Sequence, residues 1–379
     1  MSKKRIGVLA INLSSGGAEK VVSLLLKKLS TDYEVFLILL NNDIHFTIPE
    51  NVEVVFLGNS KPGLFKKIFS FFVAINSYSK FLSKYKIDIS VSFLIRPNLI
   101  NAFLKFFHPK VKVIISERCF PSIAYKSNFL RYYIYKMLIP ILYNKADVLF
   151  SNSVYINRDL KDNFRVKIDM KVLYNPVELK VDEIELANKN VFNVVFVGKL
   201  KPIKNPILLL RALTFNLNEK MHTVFLGDGV LKEFLLSYCK QNDLENVCFE
   251  GIVNNVNDYL LNSSVFVLTS KSEGFPNVII EAMSCGVPII STNCMSGPLE
   301  ILNDNQDVII EEGSFLRVKY GLMINVDDEI GLSNALKEIF YNHDLRNELS
   351  SLSFLRAKDY SLDVIYNGFK NKILTDGYV

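Results

Sequence analysis

The sequence predicts an α/β protein built from two doubly wound parallel sheets. Short apolar runs rich in Val, Ile, Leu and Phe alternate with helical patterns along almost all of the 379 residues. The runs are continuously apolar, which is typical of parallel strands covered by helices on both faces. The pattern restarts after a polar, acidic segment that ends at Asn190, and a chain of this length suggests two or three domains.

The first series of elements forms one predicted domain, residues 1–178. Its strands are predicted at residues 6–11, 33–40, 52–57, 88–94, 112–116 and 147–151. Its helices are predicted at residues 17–30, 64–85, 98–107, 128–144 and 154–163. This order of strands and helices is that of a doubly wound sheet.

The second series forms a second predicted domain, residues 190–360. Its strands are predicted at residues 193–198, 222–227, 246–251, 265–270 and 288–292. In open parallel sheets, ligands bind at the carboxyl ends of the strands. Two domains that face each other would place a binding site between them, so the loops that follow the strands are the candidate sites.

Cysteine usage and the apolar runs limit the class of protein. Five cysteines without a CxxC or CxxxC pair argue against a disulfide framework or a thiolate zinc site, and they favour a reducing compartment. The amino terminus resembles a first strand rather than a secretory leader. The longest apolar runs, residues 68–75 and 137–143, are much shorter than the roughly 20 residues that span a bilayer. We therefore expect a cytoplasmic protein without a membrane-spanning helix.

Basic residues are concentrated in the first half of the chain. Residues 1–175 contain 26 Lys and Arg against 12 Asp and Glu, whereas the remaining 204 residues contain 18 against 27. Residues 61–145 hold 15 basic and two acidic residues, interleaved with aromatics. This pattern favours helices 64–85 and 128–144 lying on an anionic membrane surface, and core aromatics beside solvated lysines are the alternative. Nucleic-acid binding is disfavoured, because the chain lacks an RNA-recognition signature.

Two candidate loops carry glycine or lysine next to a predicted helix. Residues 13–20 contain Gly16 and Gly17, which allow close approach of a ligand, and a simple tight turn is the other interpretation. Their spacing differs from the GxGxxG fingerprint. In residues 196–206, Lys199 follows a strand and Lys204 precedes a helix. Two ammonium groups and a helix N-terminus would neutralise a diphosphate, whereas solvated surface lysines are the alternative.

The loop of residues 270–292 gives the strongest indication of a binding site. Glu273 follows an apolar strand, and a Gly-Phe-Pro turn leads into a helix that begins near Asn277, with proline suited to its first position. Glu281 lies in the second turn of that helix. The two carboxylates and the amides of the turn could hold a polyhydroxylated ligand, and two surface glutamates are the plain alternative.

These motifs resemble those of the retaining family-4 glycosyltransferases, which have the GT-B fold. Residues 273–281 match their E-x7-E motif, and residues 198–205 look like their G-R-x4-K-N element. SSGGAEK, FLGDGVLKEFL, FEGIVNNV and SGPLEIL are similar to further family elements in the same order. The resemblance implies two Rossmann-like domains facing across a cleft: an acceptor-binding, membrane-facing N-terminal domain and a domain that binds a nucleotide sugar. It also implies that residues 361–379 return to the N-terminal domain.

The resemblance also implies roles for individual residues. Lys199 and Lys204 would bind the donor diphosphate, Glu281 would bind the ribose, and Glu273 would hold hydroxyls of the donor sugar. The other residues expected to contact the donor, mostly through the backbone, are Gly16, Gly17, Gly198, Asn205, Gly227, Ile252, Val253, Gly274, Phe275, Pro276 and Asn277. Catalysis would consist mainly of positioning and of stabilising the departing charge, without a nucleophilic carboxylate.

Two positions depart from the family pattern. Lys199 stands where arginine is usual, which keeps the charge and loses the bidentate fork. Ser116-Glu117-Arg118 stands where many members have Ser-Glu-His. Glu117 and Arg118 are therefore candidate catalytic residues, with Arg118 orienting the donor phosphate or the acceptor. An ion pair between the two is the alternative interpretation.

The resemblance implies a retaining transferase that moves a hexose or N-acetylhexosamine from UDP-GalNAc, UDP-Gal or UDP-GlcNAc. The acceptor would be a polyprenyl-diphosphate- or other lipid-linked glycan at the inner face of the cytoplasmic membrane, in the synthesis of O-antigen, capsule or protein-linked glycan. No D-x-D sequence occurs, and we expect neither a metal nor a cofactor. The alternatives are a GDP-mannose-dependent mannosyltransferase, a UDP-sugar 2-epimerase and a non-catalytic sugar-nucleotide-binding protein.

Overall fold

The structure is a computed structural model that describes residues 3–14, 16–58, 64–126, 128–181, 191–215 and 221–375, with the backbone alone for residues 64–69. Ser15 of the first glycine loop and residues 182–190, between the two predicted domains, lie outside the described residues. The chain divides into two compact units. The first consists of Met1–Pro176 and Leu362–Val379, and the second of Val177–Ser361.

The first unit is built on a parallel sheet. Its strands are β1 (Arg5–Ala10), β2 (Glu34–Leu39), β3 (Glu53–Phe56), β4 (Ile89–Phe93), β5 (Lys112–Glu117), β6 (Val148–Ser151) and β7 (Met170–Val172). They are ordered β3-β2-β1-β4-β5-β6-β7, and every pair is parallel. The predicted strands are confirmed. β7 was not predicted, because a strand of three residues carries too little hydrophobic pattern.

Helices cover the sheet of the first unit. They are α1 (Gly17–Asp32), α2 (Leu64–Lys84), α3 (Ile95–Leu104), α4 (Pro121–Ala124), α5 (Phe129–Leu142) and α6 (Val154–Phe164). α1 buries Val22, Leu25 and Leu29, which recur at helical spacing. α3 begins at Ile95 rather than at the predicted Asn98, because Pro97 fits the first turn, where its missing N–H has no helical partner.

α2 supplies aromatic side chains to the core of the first unit. Tyr78 and Phe81 are buried, and their rings stack with centroids 6.2 Å apart. The Tyr78 hydroxyl lies 2.5 Å from Ser90 Oγ on β4. This half of α2 therefore has core aromatics, which is the alternative to membrane docking of helix 64–85. In the described parts of the chain, no helix has both the length and the apolar content to cross a bilayer.

The second unit is built on a mixed sheet. Its strands are β8 (Phe192–Val197), β9 (Met221–Leu226), β10 (Val247–Gly251), β11 (Val265–Leu268), β12 (Ile289–Thr292), β13 (Phe315–Val318) and β14 (Gly321–Ile324). They are ordered β10-β9-β8-β11-β12-β14-β13, with only β13 antiparallel to its neighbour. The predicted strands are confirmed, and the β13–β14 hairpin was not predicted. The helices are α7 (Pro206–Leu213), α8 (Lys232–Gln241), α9 (Val256–Leu261), α10 (Asn277–Ser284), α11 (Gly297–Asn303), α12 (Glu329–Tyr341) and α13 (His343–Asp359).

Residues 362–375 pack on the first unit. The last α-helix is α14 (Leu362–Phe369), and the ring of Phe369 lies 5.6 Å from that of Phe150 on β6. Tyr366 OH and Lys370 Nζ donate to Asp32 Oδ2 at the end of α1, at 2.9 and 2.6 Å. These contacts attach the carboxyl-terminal segment to α1 and β6.

Candidate active site

Two loops of the second unit meet through an ion pair between Lys204 and Glu273. Lys204 follows β8, and Glu273 follows β11, which is the parallel neighbour of β8 in the sheet. Lys204 Nζ donates to Glu273 Oε1 at 2.5 Å, and Ser270 Oγ donates to the same oxygen at 2.5 Å. The side chain of Glu273 is 9% exposed and that of Lys204 is 29% exposed. The pair lies at the carboxyl edge of the sheet, where α/β proteins bind ligands.

Further hydrogen bonds hold these two loops together. Thr269 Oγ1 donates to the Lys204 carbonyl at 2.8 Å. Asn205 adopts a left-handed conformation with φ of 50°, and its Nδ2 donates to Asp327 Oδ1 at 2.8 Å. Asp327 also accepts from Lys271 Nζ at 2.8 Å. Thr269, Ser270 and Asp327 were not predicted as site residues. The only signal for Ser270 in the sequence was its polar side chain at the end of an apolar strand.

Lys199 takes no part in the ion pair of Lys204 and Glu273. It is exposed, and within the described residues no acidic side chain pairs with its ammonium group. The backbone beside it is tightly packed, because a Cβ at Gly227 would lie 2.1 Å from the Gly198 carbonyl oxygen. Gly227 also has a φ of 134°, which favours glycine. The loops after β8 and β9 therefore contact each other through their backbones.

The Gly274-Phe275-Pro276 turn packs against the loop that precedes α11. The Gly274 carbonyl accepts Gly297 N–H at 3.0 Å and Ser296 Oγ at 2.6 Å. A Cβ at Gly297 would lie 2.3 Å from Pro276 Cδ, so only glycine fits there. The ring of Phe275 is buried. The carbonyl and the ring are thus directed into the protein, and the turn leads directly into α10 at Asn277.

The residues expected near the ribose and the base lie on accessible segments. Glu281 is in the second turn of α10 and is partly exposed. Ile252 follows Gly251, which has a φ of 71°, and is 82% exposed. Val253 is partly exposed. These positions are open to a ligand, and their predicted roles stay predictions.

The first glycine loop meets α1 in the first unit. Gly16 caps the helix and Gly17 begins it. Gly16 has an ordinary φ of −88°, so backbone conformation does not require glycine there. A Cβ at Gly16 would instead lie 2.1 Å from Glu19 Oε2. Glycine therefore leaves room for the Glu19 carboxylate at the positive end of the helix.

Glu117 ends β5 and is fully buried in the first unit. Its Oε2 accepts Tyr143 OH at 3.0 Å and Tyr125 OH at 3.3 Å, and its Oε1 accepts the Arg118 backbone N–H at 3.1 Å. Burial raises the pKa of the Glu117 carboxyl, and the hydrogen bonds that it accepts oppose this shift. A side chain without exposed surface favours a positioning role for Glu117 over direct catalysis.

The Arg118 guanidinium lies over two aromatic rings beside the carboxyl edge of the same sheet. Its central carbon is 5.2 Å from the ring centroid of Phe93 and 5.0 Å from that of Phe150. Nη1 donates to Asn175 Oδ1 at 2.6 Å. Burial lowers the pKa of Arg118, and the nearby Glu117 carboxylate opposes this shift. Between described residues, no side-chain ion pair joins Arg118 to Glu117, and their contact is through the Arg118 backbone.

Comparison with solved structures identifies the fold as GT-B. Anabaena Alr3699/HepE in complex with UDP has a TM-score of 0.74 over 97% of this chain and 98% of that chain, at 16% identity. The apo form of the lipopolysaccharide outer core galactosyltransferase WaaB has a TM-score of 0.71 over 98% and 99% of the two chains, at 19% identity. The fold therefore places the protein with the GT-B proteins.

Sequence comparison identifies the family. The model described as "Glycosyltransferase Family 4" matches residues 15–181, and "Glycosyl transferases group 1" matches residues 178–351. The Campylobacter jejuni N-acetylgalactosamine-N,N'-diacetylbacillosaminyl-diphospho-undecaprenol 4-alpha-N-acetylgalactosaminyltransferase is 34% identical over 94% of this chain and 96% of its own length. The GalNAc-alpha-(1->4)-GalNAc-alpha-(1->3)-diNAcBac-PP-undecaprenol alpha-1,4-N-acetyl-D-galactosaminyltransferase of the same organism is 30% identical over 95% and 96%. The chain belongs to glycosyltransferase family 4 and is a glycosyltransferase.

Proposed function

We propose that this enzyme transfers N-acetylgalactosamine, or a related hexose or N-acetylhexosamine, from a UDP-linked donor to a polyprenyl-diphosphate-linked glycan with retention of configuration. The names of both Campylobacter jejuni relatives describe N-acetylgalactosaminyl transfer to undecaprenol-linked glycans. UDP is the nucleotide in the HepE complex. The geometric observation that carries the proposal is the 2.5 Å contact between Lys204 and Glu273 at the carboxyl edge of the second sheet.

Lys204 and Lys199 supply positive charge where the donor diphosphate departs. The Lys204 ammonium is held by Glu273 and remains partly exposed, so a phosphate oxygen can reach it without rearrangement of the loop. Lys199 is exposed and can follow the phosphate as it leaves. A fixed cation that meets developing negative charge stabilises the transition state more than the ground state.

Glu273 binds hydroxyls of the donor sugar. Lys204 and Ser270 both donate to Oε1, so Oε2 is the oxygen available for a sugar hydroxyl. The carboxylate is almost buried and held by two donors, so it positions the sugar at little further cost in side-chain entropy. A nucleophilic role is not needed, because the leaving phosphate can accept the proton of the acceptor hydroxyl on the same face.

The reaction proceeds without a metal ion. The two lysines provide the charge that a divalent cation would otherwise supply to a diphosphate. Transfer that is unchanged in EDTA supports this part of the proposal. Transfer that is lost in EDTA and restored by Mg²⁺ or Mn²⁺ contradicts it.

The purified full-length enzyme tests the proposal directly. It is incubated with UDP-GalNAc, UDP-Gal, UDP-GlcNAc or GDP-mannose, with and without a polyprenyl-diphosphate-linked N-acetylhexosamine acceptor. We expect UDP-GalNAc to give an acceptor-dependent product with an α linkage. Transfer from GDP-mannose alone would indicate a mannosyltransferase, and conversion of a UDP-sugar without acceptor would indicate an epimerase. Binding without turnover would indicate a non-catalytic protein.

We also propose that the enzyme works at the cytoplasmic face of the membrane, with α5 as the docking helix. The exposed apolar side chains of α5 include Phe129 (77% exposed), Leu130 (66%) and Met137 (69%). The basic residues Arg131 and Lys136 on the same helix are exposed as well. A helix with exposed apolar and basic side chains binds an anionic lipid surface through both.

Vesicle co-sedimentation tests the docking helix. The double variant Arg131→Glu/Lys136→Glu should lose binding to vesicles containing anionic phospholipid, whereas the control Lys240→Glu/Lys358→Glu in the second unit should bind as the wild type does. Each lysine or arginine near such a surface contributes about 1 kcal/mol, so two reversals should weaken binding by at least about tenfold. Equal binding of both double variants would refute docking through α5.

A further inference from the structure

The carboxyl edge of the first sheet carries a buried guanidinium with unused hydrogen-bond donors. Arg118 is 8% exposed, and Nη1 is bonded to Asn175. Nε and Nη2 are buried and have no hydrogen-bond partner within the described residues. Buried polar groups are almost always bonded, and a buried unpaired donor costs roughly 1–3 kcal/mol, more when charged. These two donors therefore point to a group that the chain itself does not supply.

The surroundings of Arg118 determine the shape of that group. The rings of Phe93 and Phe150 both lie about 5 Å from the guanidinium carbon, and Asn175 accepts from Nη1. The edge that remains carries Nε and Nη2, whose N–H bonds are nearly parallel. Such a fork matches two oxygens of a phosphate or a carboxylate, which makes it a bidentate oxyanion site.

Among the described residues, no carboxylate forms an ion pair with this edge of Arg118. Glu117 is adjacent in sequence, but its oxygens accept Tyr143 OH, Tyr125 OH and the backbone N–H of Arg118. Tyr143 OH in turn accepts from Asn98 Nδ2 at 3.3 Å, which extends the buried polar contacts of Glu117 to α3. Glu117 is thus engaged in fixing the backbone after β5, and its carboxylate makes no hydrogen bond to the guanidinium of Arg118.

Two further unpartnered polar atoms lie at the same edge of the sheet. Asn152 Oδ1 follows β6, and Ser116 Oγ is near the end of β5, and both are buried without a partner within the described residues. Asn152 Nδ2 shares the Asn175 oxygen with Arg118, at 3.3 Å. An acceptor next to an oxyanion fork, with a hydroxyl at the same edge of the sheet, suits a phosphate that is attached to a hydroxylated sugar.

We propose that Arg118 binds a phosphate group of a substrate in bidentate fashion, and that Glu117 is the positioning residue that fixes this loop. This inference rests on the proposed function, in which both substrates carry a diphosphate. The phosphate belongs either to the nucleotide-sugar donor or to the polyprenyl-diphosphate acceptor. Steady-state kinetics with each substrate varied in turn distinguishes the two sources.

Arg118→Lys and Arg118→Met test the site, with Arg158→Met on the exposed face of α6 as the control. The loss of a charge-assisted bidentate contact should raise the KM of one substrate by about 10- to 100-fold. We expect this rise for Arg118→Lys as well as for Arg118→Met, because lysine keeps the positive charge but cannot form two parallel hydrogen bonds. An effect confined to the donor KM assigns the donor phosphate, and one confined to the acceptor KM assigns the acceptor phosphate. Unchanged KM values for both substrates would overturn the proposal.

Thermal unfolding provides a readout that does not depend on turnover. In the Lys199→Met/Lys204→Met background, inorganic pyrophosphate should still raise the unfolding midpoint of the protein, and adding Arg118→Met should abolish that rise. Without ligand, Arg118→Met should keep or raise the midpoint, because it removes unpaired buried donors. A pyrophosphate effect that persists after Arg118→Met is added to this double-lysine background would refute the site, even if none of the UDP-sugars proves to be a donor.

Glu117 variants separate positioning from direct catalysis. Glu117→Gln keeps the shape and an acceptor oxygen for the Arg118 backbone N–H, so the KM that Arg118→Lys raises should rise less in Glu117→Gln than in Glu117→Ala. Glu117→Ala frees the loop and should raise the same KM that Arg118→Lys raises. A large fall of kcat in Glu117→Gln with KM unchanged would show that the carboxylate acts on the reaction itself, and the positioning role would be wrong.

Discussion

Replacement of Lys204 by methionine tests the diphosphate assignment most directly. Methionine keeps most of the length and the apolar stem of lysine and removes the ammonium that contacts Glu273 at 2.5 Å. The loss of one preorganised electrostatic contact to a developing charge typically reduces kcat by about 10²–10³-fold, which corresponds to about 2.7–4 kcal/mol. Glu273 keeps its bond from Ser270, and Lys204 is 29% exposed, so we expect the variant to lose less than about 2 kcal/mol of stability and to remain folded.

The assay measures kcat/KM for transfer from the UDP-sugar that the wild type uses, together with the thermal midpoint of each variant. Lys271→Met is a matched control. Lys271 lies only two positions from Glu273 in sequence, and it forms an ion pair with a different carboxylate, that of Asp327, at 2.8 Å. We expect Lys271→Met to stay within about threefold of the wild type. A Lys204→Met enzyme that is folded and also within about threefold would refute the reasoning.

Three further predictions concern stability. Gly227→Ala should lose at least about 2 kcal/mol in urea unfolding, since its Cβ would lie 2.1 Å from the Gly198 carbonyl oxygen and φ is 134°, and a loss below about 0.5 kcal/mol would contradict this. Ser296 has φ 84° and ψ −146°, a backbone conformation that only glycine tolerates well. Both Ser296→Gly and Ser296→Ala lose the hydrogen bond to the Gly274 carbonyl, but only Ser296→Ala keeps the backbone strain, so Ser296→Gly should have the higher thermal midpoint. Equal midpoints would show that the backbone is not strained at this position. Hydrogen bonds from Lys370 and Tyr366 lower the pKa of Asp32 in the folded protein. The contribution of Asp32 to the free energy of unfolding is therefore fully present above its unfolded pKa of about 3.9, and it is lost as the pH falls through the lower pKa of the folded state. Asp32→Asn should therefore be less stable than the wild type at pH 7, by up to about 1 kcal/mol, with the difference vanishing at low pH; a difference that persists at pH 2 would contradict this linkage.

The order of strands and helices could be predicted from the sequence, because it depends on the local pattern of apolar and polar residues. Continuous apolar runs predicted the strands of both sheets from β1 to β12, apart from β7. The strands that were not predicted are β7, which has three residues, and β13 and β14, which have four each. Three residues carry too little hydrophobic pattern for β7. Length does not explain the other two, because β3, β6, β11 and β12 also have four residues and were predicted.

The same limit applies to the aromatic residues of the basic region. Phe and Tyr at helical spacing occur in both α2 and α5, and the sequence treats the two helices alike. In the structure, Tyr78 and Phe81 of α2 are buried, whereas Phe72 of α2 is 62% exposed and Phe129 of α5 is 77% exposed. Burial depends on which helix face meets the sheet, and residues far apart in the chain decide that.

By itself, the sequence determined the two-sheet architecture, the positions of the loops at the carboxyl ends of the strands, and the glutamates and lysines that resemble a family-4 glycosyltransferase. The tertiary structure decided that Lys204, and not Lys199, contacts Glu273. It also decided that Glu117 accepts hydrogen bonds from Tyr125, Tyr143 and the Arg118 backbone, while the nitrogens Nε and Nη2 of Arg118 have no hydrogen-bond partner among the described residues. The physical reason is the distance along the chain over which each feature is determined. Hydrophobic periodicity and turns depend on residues a few positions apart. Contacts between loops depend on strand order, which is fixed only when the whole sheet has assembled.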